Sequence, residues 1–151
     1  MAKKKPKRRP ARRSKVDVNK PPSNPLEAVN PSDVRLKAGK GSAGRGGRVD
    51  ENYWHIYLDE TRVGYVYINI VNEQPFGEHA SIQIHINQKH RARGIGSVAY
   101  RLACKESEHS VIYAKMRKAN VGSQKAASKA GFEVIADAEV LQLSMKWKRR
   151  K

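Results

Sequence analysis

The spacing of apolar residues changes period along the chain, and the changes mark its elements. Ser81-Ile82-Gln83-Ile84-His85-Ile86 alternates strictly, with isoleucines on one side and polar residues on the other, which predicts a half-buried strand. Ahead of it, Tyr53–Leu58 and Arg62–Val71 have the β-branched and aromatic composition of strands. Asp59-Glu60-Thr61 turns between them, so the pair reads as a hairpin. Asn72–Glu78, with Pro75 and Gly77, reads as a loop. From Gly94 to Glu108 the period becomes helical. Ile95, Val98, Ala99, Leu102 and Ala103 fall at i, i+3, i+4, i+7 and i+8, one apolar stripe. Val111–Ala114 returns to strand. Ser123, Ala126, Ala127 and Ala130 keep helical spacing, and Gly131 stands where a helix end favours glycine. Phe132–Ile135 and Glu139–Trp147 read as the last two strands. Strands interleaved with two helices predict an α/β (α+β) domain with a mixed sheet.

Upstream the pattern is weaker. Ser32–Ala38 alternates briefly and predicts one strand. Gly39–Gly47 has five glycines in nine residues and reads as a flexible loop. Residues 1–15 carry nine Lys/Arg broken by Pro6 and Pro10, and Pro21, Pro22, Pro25 and Pro31 extend the irregular stretch. Such a segment repels itself and lacks the apolar residues for a core. The expected organisation is a basic, proline-rich disordered tail at 1–31, a domain at 32–147 with its core at 49–147, and a basic end at 148–151.

Charge sharpens this division. Of 151 residues, 31 are Lys or Arg and 14 are Asp or Glu, a formal net charge of +17. Residues 1–48 hold 15 cationic and three acidic residues, residues 49–145 hold 11 of each, and residues 146–151 hold five cations. A neutral body with cationic ends predicts an ordinary domain with electrostatic arms, suited to sequence-blind, salt-sensitive contact with nucleic acid or ribosomes. Lys3–Arg9 also has the look of a nuclear import signal. No apolar run reaches the roughly 18 residues of a membrane span, and no apolar stretch follows the basic Met1–Ser14, so neither a membrane helix nor a secretory signal is expected. A single cysteine, Cys104, excludes an intrachain disulfide framework and a cysteine-based zinc site, and a reducing, cytoplasmic setting is expected.

The chemistry concentrates at His90-Arg91-Ala92-Arg93-Gly94-Ile95-Gly96-Ser97, between a strand and a helix. Glycines admit a ligand close to the backbone, first-turn amides lack internal partners, the helix dipole adds positive potential, and two arginines add full charge. A phosphate or pyrophosphate suits this cradle. The plain alternative is a glycine-containing turn with solvated arginines.

Arg91-Ala92-Arg93-Gly94-Ile95-Gly96 resembles the Q/R-x-x-G-x-G/A acyl-CoA motif of the GNAT N-acetyltransferase superfamily. Asn120, 24 residues after Gly96, opens Asn120–Phe132, which resembles the family's second motif, and Val140–Met145 resembles its closing strand. The resemblance covers about residues 49–147 and implies an acetyl-CoA-dependent N-acetyltransferase with a GNAT-like acyl-CoA N-acyltransferase fold. It implies that Ser81–Asn87 splays from Val111–Met116, and that acyl-CoA enters the gap. A backbone amide near Ile86 would hold the thioester oxygen. Amides of Arg91, Ala92, Arg93, Gly94, Ile95, Gly96 and Ser97 would hold the pyrophosphate. Asn120 would bond the pantetheine arm, with Ser123 capping or neighbouring the second helix. Both residue types also favour helix N-caps, the alternative role.

Attack by an amine requires its neutral form, and a lysine amine has a pKa of about 10.4. Members often place a Glu or His near the start of the splayed strand as base, which implies Glu78 first, His79 second and His85 third. A tyrosine seven residues after the motif asparagine often protonates the leaving thiolate, but Ala127 occupies that position here. Members also usually insert two helices between the first two strands. Ala38–Asn52 shows no helical stripe, so the acceptor side is expected to be open, suited to a protein or nucleic-acid-linked amine. The alternative is a non-catalytic GNAT-fold protein that binds nucleic acid or ribosomes through its basic termini. No metal site is expected, and the sequence leaves the acceptor and oligomeric state unassigned.

Overall fold

The computed structural model describes residues 28–49, 51–135 and 142–150. Seven strands form one mixed sheet: β1 (Val34–Ala38), β2 (Asn52–Leu58), β3 (Thr61–Glu73), β4 (Gly77–Ile86), β5 (Val111–Arg117), β6 (Glu133–Val134) and β7 (Gln142–Lys148), in the order β1-β2-β3-β4-β5-β7-β6. Two helices, α1 (Ile95–Ser107) and α2 (Val121–Lys129), follow β4 and β5. Only β4 and β5 run parallel, joined through α1. This is the mixed α/β architecture that the change of period predicts.

The predicted strands and helices form with shifted ends. Asp59 adopts φ +55° in the two-residue turn that pairs Leu58 with Thr61, the left-handed backbone a tight hairpin needs. The loop expected at 72–78 is shorter than its composition implies. β3 runs to Glu73 and β4 starts at Gly77, with Glu73 opposite Gly77 and Asn72 opposite Glu78, because ladder pairing continues to a turn closed by Phe76 N–H donating to the Glu73 carbonyl. Of the expected strand 132–135, Glu133–Val134 pair with β7, Ile135 N–H donates to the Ser144 carbonyl, and Phe132 is buried in the core. Residues 139–141 of the expected last strand lie outside the described residues.

The core lies between the helices and one sheet face. Ile82 joins Trp54, Ile56, Val66, Ile68 and Ile112 there, beneath Ile95, Val98, Ala99 and Ala103 of α1. Full burial of such side chains contributes about 1.5–3 kcal/mol each. α2 ends with Gly131 at φ +106°, whose N–H donates to the Ser128 carbonyl while Phe132 N–H reaches back to Ala127.

Three segments differ from their expected roles. Val29, assigned to the tail, packs against the core, and its N–H donates to the Arg93 carbonyl. Ordered structure thus begins before Ser32, since an apolar side chain there finds a buried seat; residues 1–27 lie outside the described residues. The glycine-rich 39–47 stretch is tied down: Gly46 N–H donates to Asn69 Oδ1 at 2.7 Å and Asn69 Nδ2 donates to the Gly44 carbonyl at 2.8 Å. Arg149, assigned to the basic end, folds onto the body. Its guanidinium donates to the carbonyls of Cys104 at 2.8 Å and His109 at 3.0 Å, capping the end of α1, and it lies over the Trp147 ring.

Candidate functional site

β4 and β5 pair only at Ala80–Ile112 and Ser81–Tyr113. Beyond Ser81 they separate, as the resemblance implies, while β4 stays paired with β3 through Ile86. A cleft of about 750 Å³ opens where the strands diverge, lined by the end of β4, the 90–94 loop and the starts of α1 and α2.

The start of α1 is built to receive a ligand. Its N-cap is Gly94, at φ +90°, and no side chain caps the helix. The first-turn amides therefore face the cleft without a side-chain acceptor. Ala92 also holds a left-handed φ of +64°, a strained backbone for a residue with a Cβ. Arg91 Nε donates to the Ile86 carbonyl at 2.8 Å, fastening the loop to the strand end. Ser97 Oγ donates back to the Gly94 carbonyl at 3.0 Å. At Gly96 a Cβ would stand 3.3 Å from the Ala126 Cβ, so glycine permits the close approach of the two helices. α2 contrasts with α1 in being capped, because Asn120 Oδ1 accepts from Ser123 N–H at 3.1 Å. The capping alternative for Asn120 is therefore realised, while the residue also lines the cleft.

Nine of the ten expected cofactor residues line this cleft: Ile86, Arg91, Ala92, Gly94, Ile95, Gly96, Ser97, Asn120 and Ser123. Arg93 lies in the loop behind it and anchors Val29 through its carbonyl. The three expected bases are dispersed. His85 is exposed on the cleft rim and stacks on Tyr65. His79 is buried, with Nδ1 2.7 Å from the Gly77 carbonyl and its ring edge-on to Phe76 and Tyr113. Glu78 is exposed at the start of β4, opposite Asn72, and does not line the cleft.

Several further residues line the cleft, one of them His90 at the start of the motif. Lys125 and Lys129, one turn apart on α2, add cationic charge to the lining. Burial, then Lys89 and Arg93, hold the His90 imidazole below its ordinary pKa, and its buried Nδ1 has no hydrogen-bond partner among the described residues. Tyr100, buried on α1, brings its hydroxyl to 3.3 Å from Ser123 Oγ. Burial pushes the phenol pKa up, so it stays protonated at neutral pH. Ala127 is fully buried and offers no hydroxyl. Helical spacing would have placed Tyr100 one turn past Gly96, on the same face.

Uncapped amides, the cationic rim and the orphaned His90 Nδ1 together fit an extended anionic ligand such as a nucleotide diphosphate with its arm. The comparisons agree with this geometry. The family model described as "Acetyltransferase (GNAT) family" matches residues 24–132. A search of curated proteins finds no match. Solved structures of similar fold include AAC(6')-Ib in complex with paromomycin and acetyl-CoA (15% identity, 66% of this chain and 66% of that chain, TM-score 0.55). They also include the GNAT domain of S. lividans PAT (16% identity, 67% and 62%, TM-score 0.56) and Mycobacterium smegmatis RimJ in complex with CoA-disulfide (19% identity, 68% and 54%, TM-score 0.54). The chain spans less than two thirds of the length of each, and at these identities the likeness is one of fold. With most of the chain matched by one family model, and the splayed strands and glycine loop in that family's arrangement, the protein belongs to the acetyltransferase (GNAT) family.

Proposed function

We propose that this protein is an N-acetyltransferase that uses acetyl-CoA to acetylate an amine of a protein or nucleic-acid-linked acceptor. The uncapped start of α1, behind left-handed Gly94 and beside the separation of β4 from β5, carries the reading. AAC(6')-Ib with acetyl-CoA and RimJ with CoA-disulfide share the fold and support the cofactor class.

Acetyl-CoA supplies an activated acetyl thioester. The amides of Gly94–Ser97 and the charges of Arg91, Lys125 and Lys129 would hold its phosphates. The unpaired edge of β4 up to Ile86 offers backbone groups to its arm. An amine on the acceptor must lose a proton. Of the three candidate bases, His85 has the position that favours this role, because it lines the cleft. Tyr100, protonated, lining the cleft and 3.3 Å from Ser123 Oγ, would return a proton to the departing thiolate, since Ala127 offers none. The basic segment 1–15 would add sequence-blind contact with nucleic acid or ribosomes.

A second reading is a non-catalytic acyl-CoA binder, favoured by the buried Ala127. One experiment separates the two. Thermal melting with acetyl-CoA tests binding, where a ligand at about 100 times its Kd adds about 2.7 kcal/mol. Mass spectrometry of a panel of peptides, proteins, polyamines and aminoacyl-RNA then tests transfer. A melting shift with an acetylated amine supports the transferase, and a shift with no product supports the binder. Absence of a shift at millimolar acetyl-CoA refutes both.

A further inference from the structure

The sheet face turned away from α1 and α2 carries an aromatic and cationic surface that neither the cleft nor the basic termini account for. Alternation and register place Tyr53, His55, Tyr65 and Tyr67 together on it, with His55 opposite Tyr65, and His85 of the cleft rim borders it opposite Tyr65. The tyrosine rings are nearly parallel. Tyr53 and Tyr65 lie 5.8 Å apart at 15°, and Tyr65 and Tyr67 lie 6.2 Å apart at 12°. All three are only partly buried, although core residues on the opposite face of the same strands are fully enclosed. The short connection between β1 and β2 forms no helix among its described residues, so no helix from that connection covers this face.

Cations surround the rings. Arg45 lies over Tyr65 and Arg35 over Tyr57. Arg62 and Lys37 are close enough to lower the His55 pKa, after the larger effect of burial. Farther across the sheet, Lys146 lies over Tyr113. The acidic residues at the margin do not reverse this balance. Glu60 reaches Arg35 at 4.0 Å, Glu73 pairs with Lys115 at 3.2 Å, and Glu133 stands at the β6 edge opposite Lys146.

We propose that this face, which no described helix covers, binds single-stranded nucleic acid, with bases against the tyrosines and phosphates against the flanking Arg and Lys side chains. Partly exposed aromatic rings within a cationic surface are the physical basis of sequence-tolerant single-strand binding, and here the cluster's outer rings and edges are what a base would meet. Charge argues against two other occupants. A second copy would bring a face of the same sign, and the chain's own residues 1–15 carry nine cations. The inference is independent of acetyl transfer, since the face requires no acetyl-CoA.

The test is fluorescence anisotropy of the full chain with a labelled 12-nucleotide oligouridylate and with a 12-base-pair RNA duplex, over a salt series. The expected result is preference for the single strand. Tyr65→Leu with Tyr67→Leu should weaken that binding about tenfold or more, since each lost base stack is worth a factor of that order, and should leave the salt slope unchanged. Lys37→Gln with Lys146→Gln should flatten the slope. Equal affinity for the duplex, or wild-type affinity in the folded double-tyrosine variant, would overturn the proposal. Should that variant not fold, crosslinking of wild-type protein to 4-thiouridine RNA decides. Crosslinks within residues 53–67 uphold it, and crosslinks confined to residues 1–27 and 148–151 overturn it. A null result with acetyl-CoA alongside single-strand binding would remove the transferase reading and leave this one intact.

Discussion

Replacing Arg149 with alanine should destabilise the body of the protein, although a residue in a basic C-terminal run is ordinarily dispensable. The guanidinium donates to the Cys104 carbonyl at 2.8 Å and to the His109 carbonyl at 3.0 and 3.1 Å, while its own N–H donates to the Ser110 carbonyl at 2.8 Å. The backbone bond survives the substitution; the side-chain bonds do not. Charge-assisted hydrogen bonds contribute about 1.5–3 kcal/mol when buried, but this site is only half-buried, so about 1.5 kcal/mol is a fair share for the set. Loss of a cation beside a helix C-terminus adds about 0.5 kcal/mol, and loss of the contact over Trp147 adds about 0.5–1 kcal/mol. The expected total is about 3 kcal/mol. At about 4 °C per kcal/mol for a domain of this size, the melting temperature should fall by about 10 °C. Circular dichroism melts and urea titrations at fixed salt measure it. Arg150→Ala, at an exposed position one residue on, is the control and should shift stability by less than about 0.5 kcal/mol. Arg149→Lys should recover only part of the loss, because an ammonium lacks the planar fork that reaches two carbonyls. Arg149→Ala melting within 2 °C of wild type would refute the capping role and return Arg149 to the electrostatic arm.

Other expectations follow from the cleft and the core. Gly94→Ala forces a Cβ into a backbone at φ +90° and should cost about 1–2 kcal/mol, although open space surrounds that Cβ; the acetyl-CoA melting shift should also shrink. Gly96→Val should abolish that shift, since even the first added carbon stands 3.3 Å from Ala126; a variant that binds normally places the cradle elsewhere. Burial pushes the Cys104 thiol up to about 12, so Ellman's reagent at pH 8 should label it only as fast as the protein opens. The sign for stability is set by this raised pKa. Above the unfolded thiol's pKa of about 8.5, only the unfolded chain releases the proton, so this contribution to stability declines from there toward pH 12 and is constant below it. Tyr100→Phe keeps the ring packed near Phe132 and removes the hydroxyl, so turnover should fall about tenfold or more with acetyl-CoA binding retained; unchanged kcat would remove Tyr100 from proton return. Among Glu78→Gln, His79→Ala and His85→Ala, the largest kcat loss, partly rescued at high pH, is expected at His85; a larger rescuable loss at Glu78 would refute the cleft-based order.

Local pattern carried the elements and the glycine loop that lines the cleft, because both are written in neighbouring residues. Alternation at Ile82, Ile84 and Ile86 and the stripe from Ile95 to Ala103 each encode a buried face directly. Glycine at 94 and 96 signals backbone requirements that the structure displays as a positive φ and a close helix approach. Long-range contacts were not legible in this way. Nothing near Val29 shows that it will pack beside the glycine loop, and nothing near Arg149 shows that it will close α1, because each seat is made by chain from 40 or more residues away. The positions of the candidate bases were hidden for the same reason: strand pairing carries the hairpin through Glu78 and leaves His85 at the cleft.

The two faces of the sheet separate along strands whose side chains alternate, so one sequence must satisfy both at once. On β2, Trp54 and Ile56 enter the core while Tyr53 and His55 face the other way; on β3, Val66 and Ile68 do the same against Tyr65 and Tyr67. A shift of one residue in register would bury the tyrosines and expose the core, so core packing fixes the arrangement of the aromatic face. The β1–β2 connection, which forms no helix among its described residues, adds no helical layer over that face. The loop instead lies at the sheet's end, where Asn69 and Glu51 hold its backbone through hydrogen bonds to Gly44, Gly46 and Arg48. Its Arg45 reaches Tyr65 from there. The connection thus leaves the tyrosines partly exposed among cations. A bulky acceptor has more room against such a sheet than in a closed pocket, and its attraction would rest on aromatic contact and charge rather than enclosure.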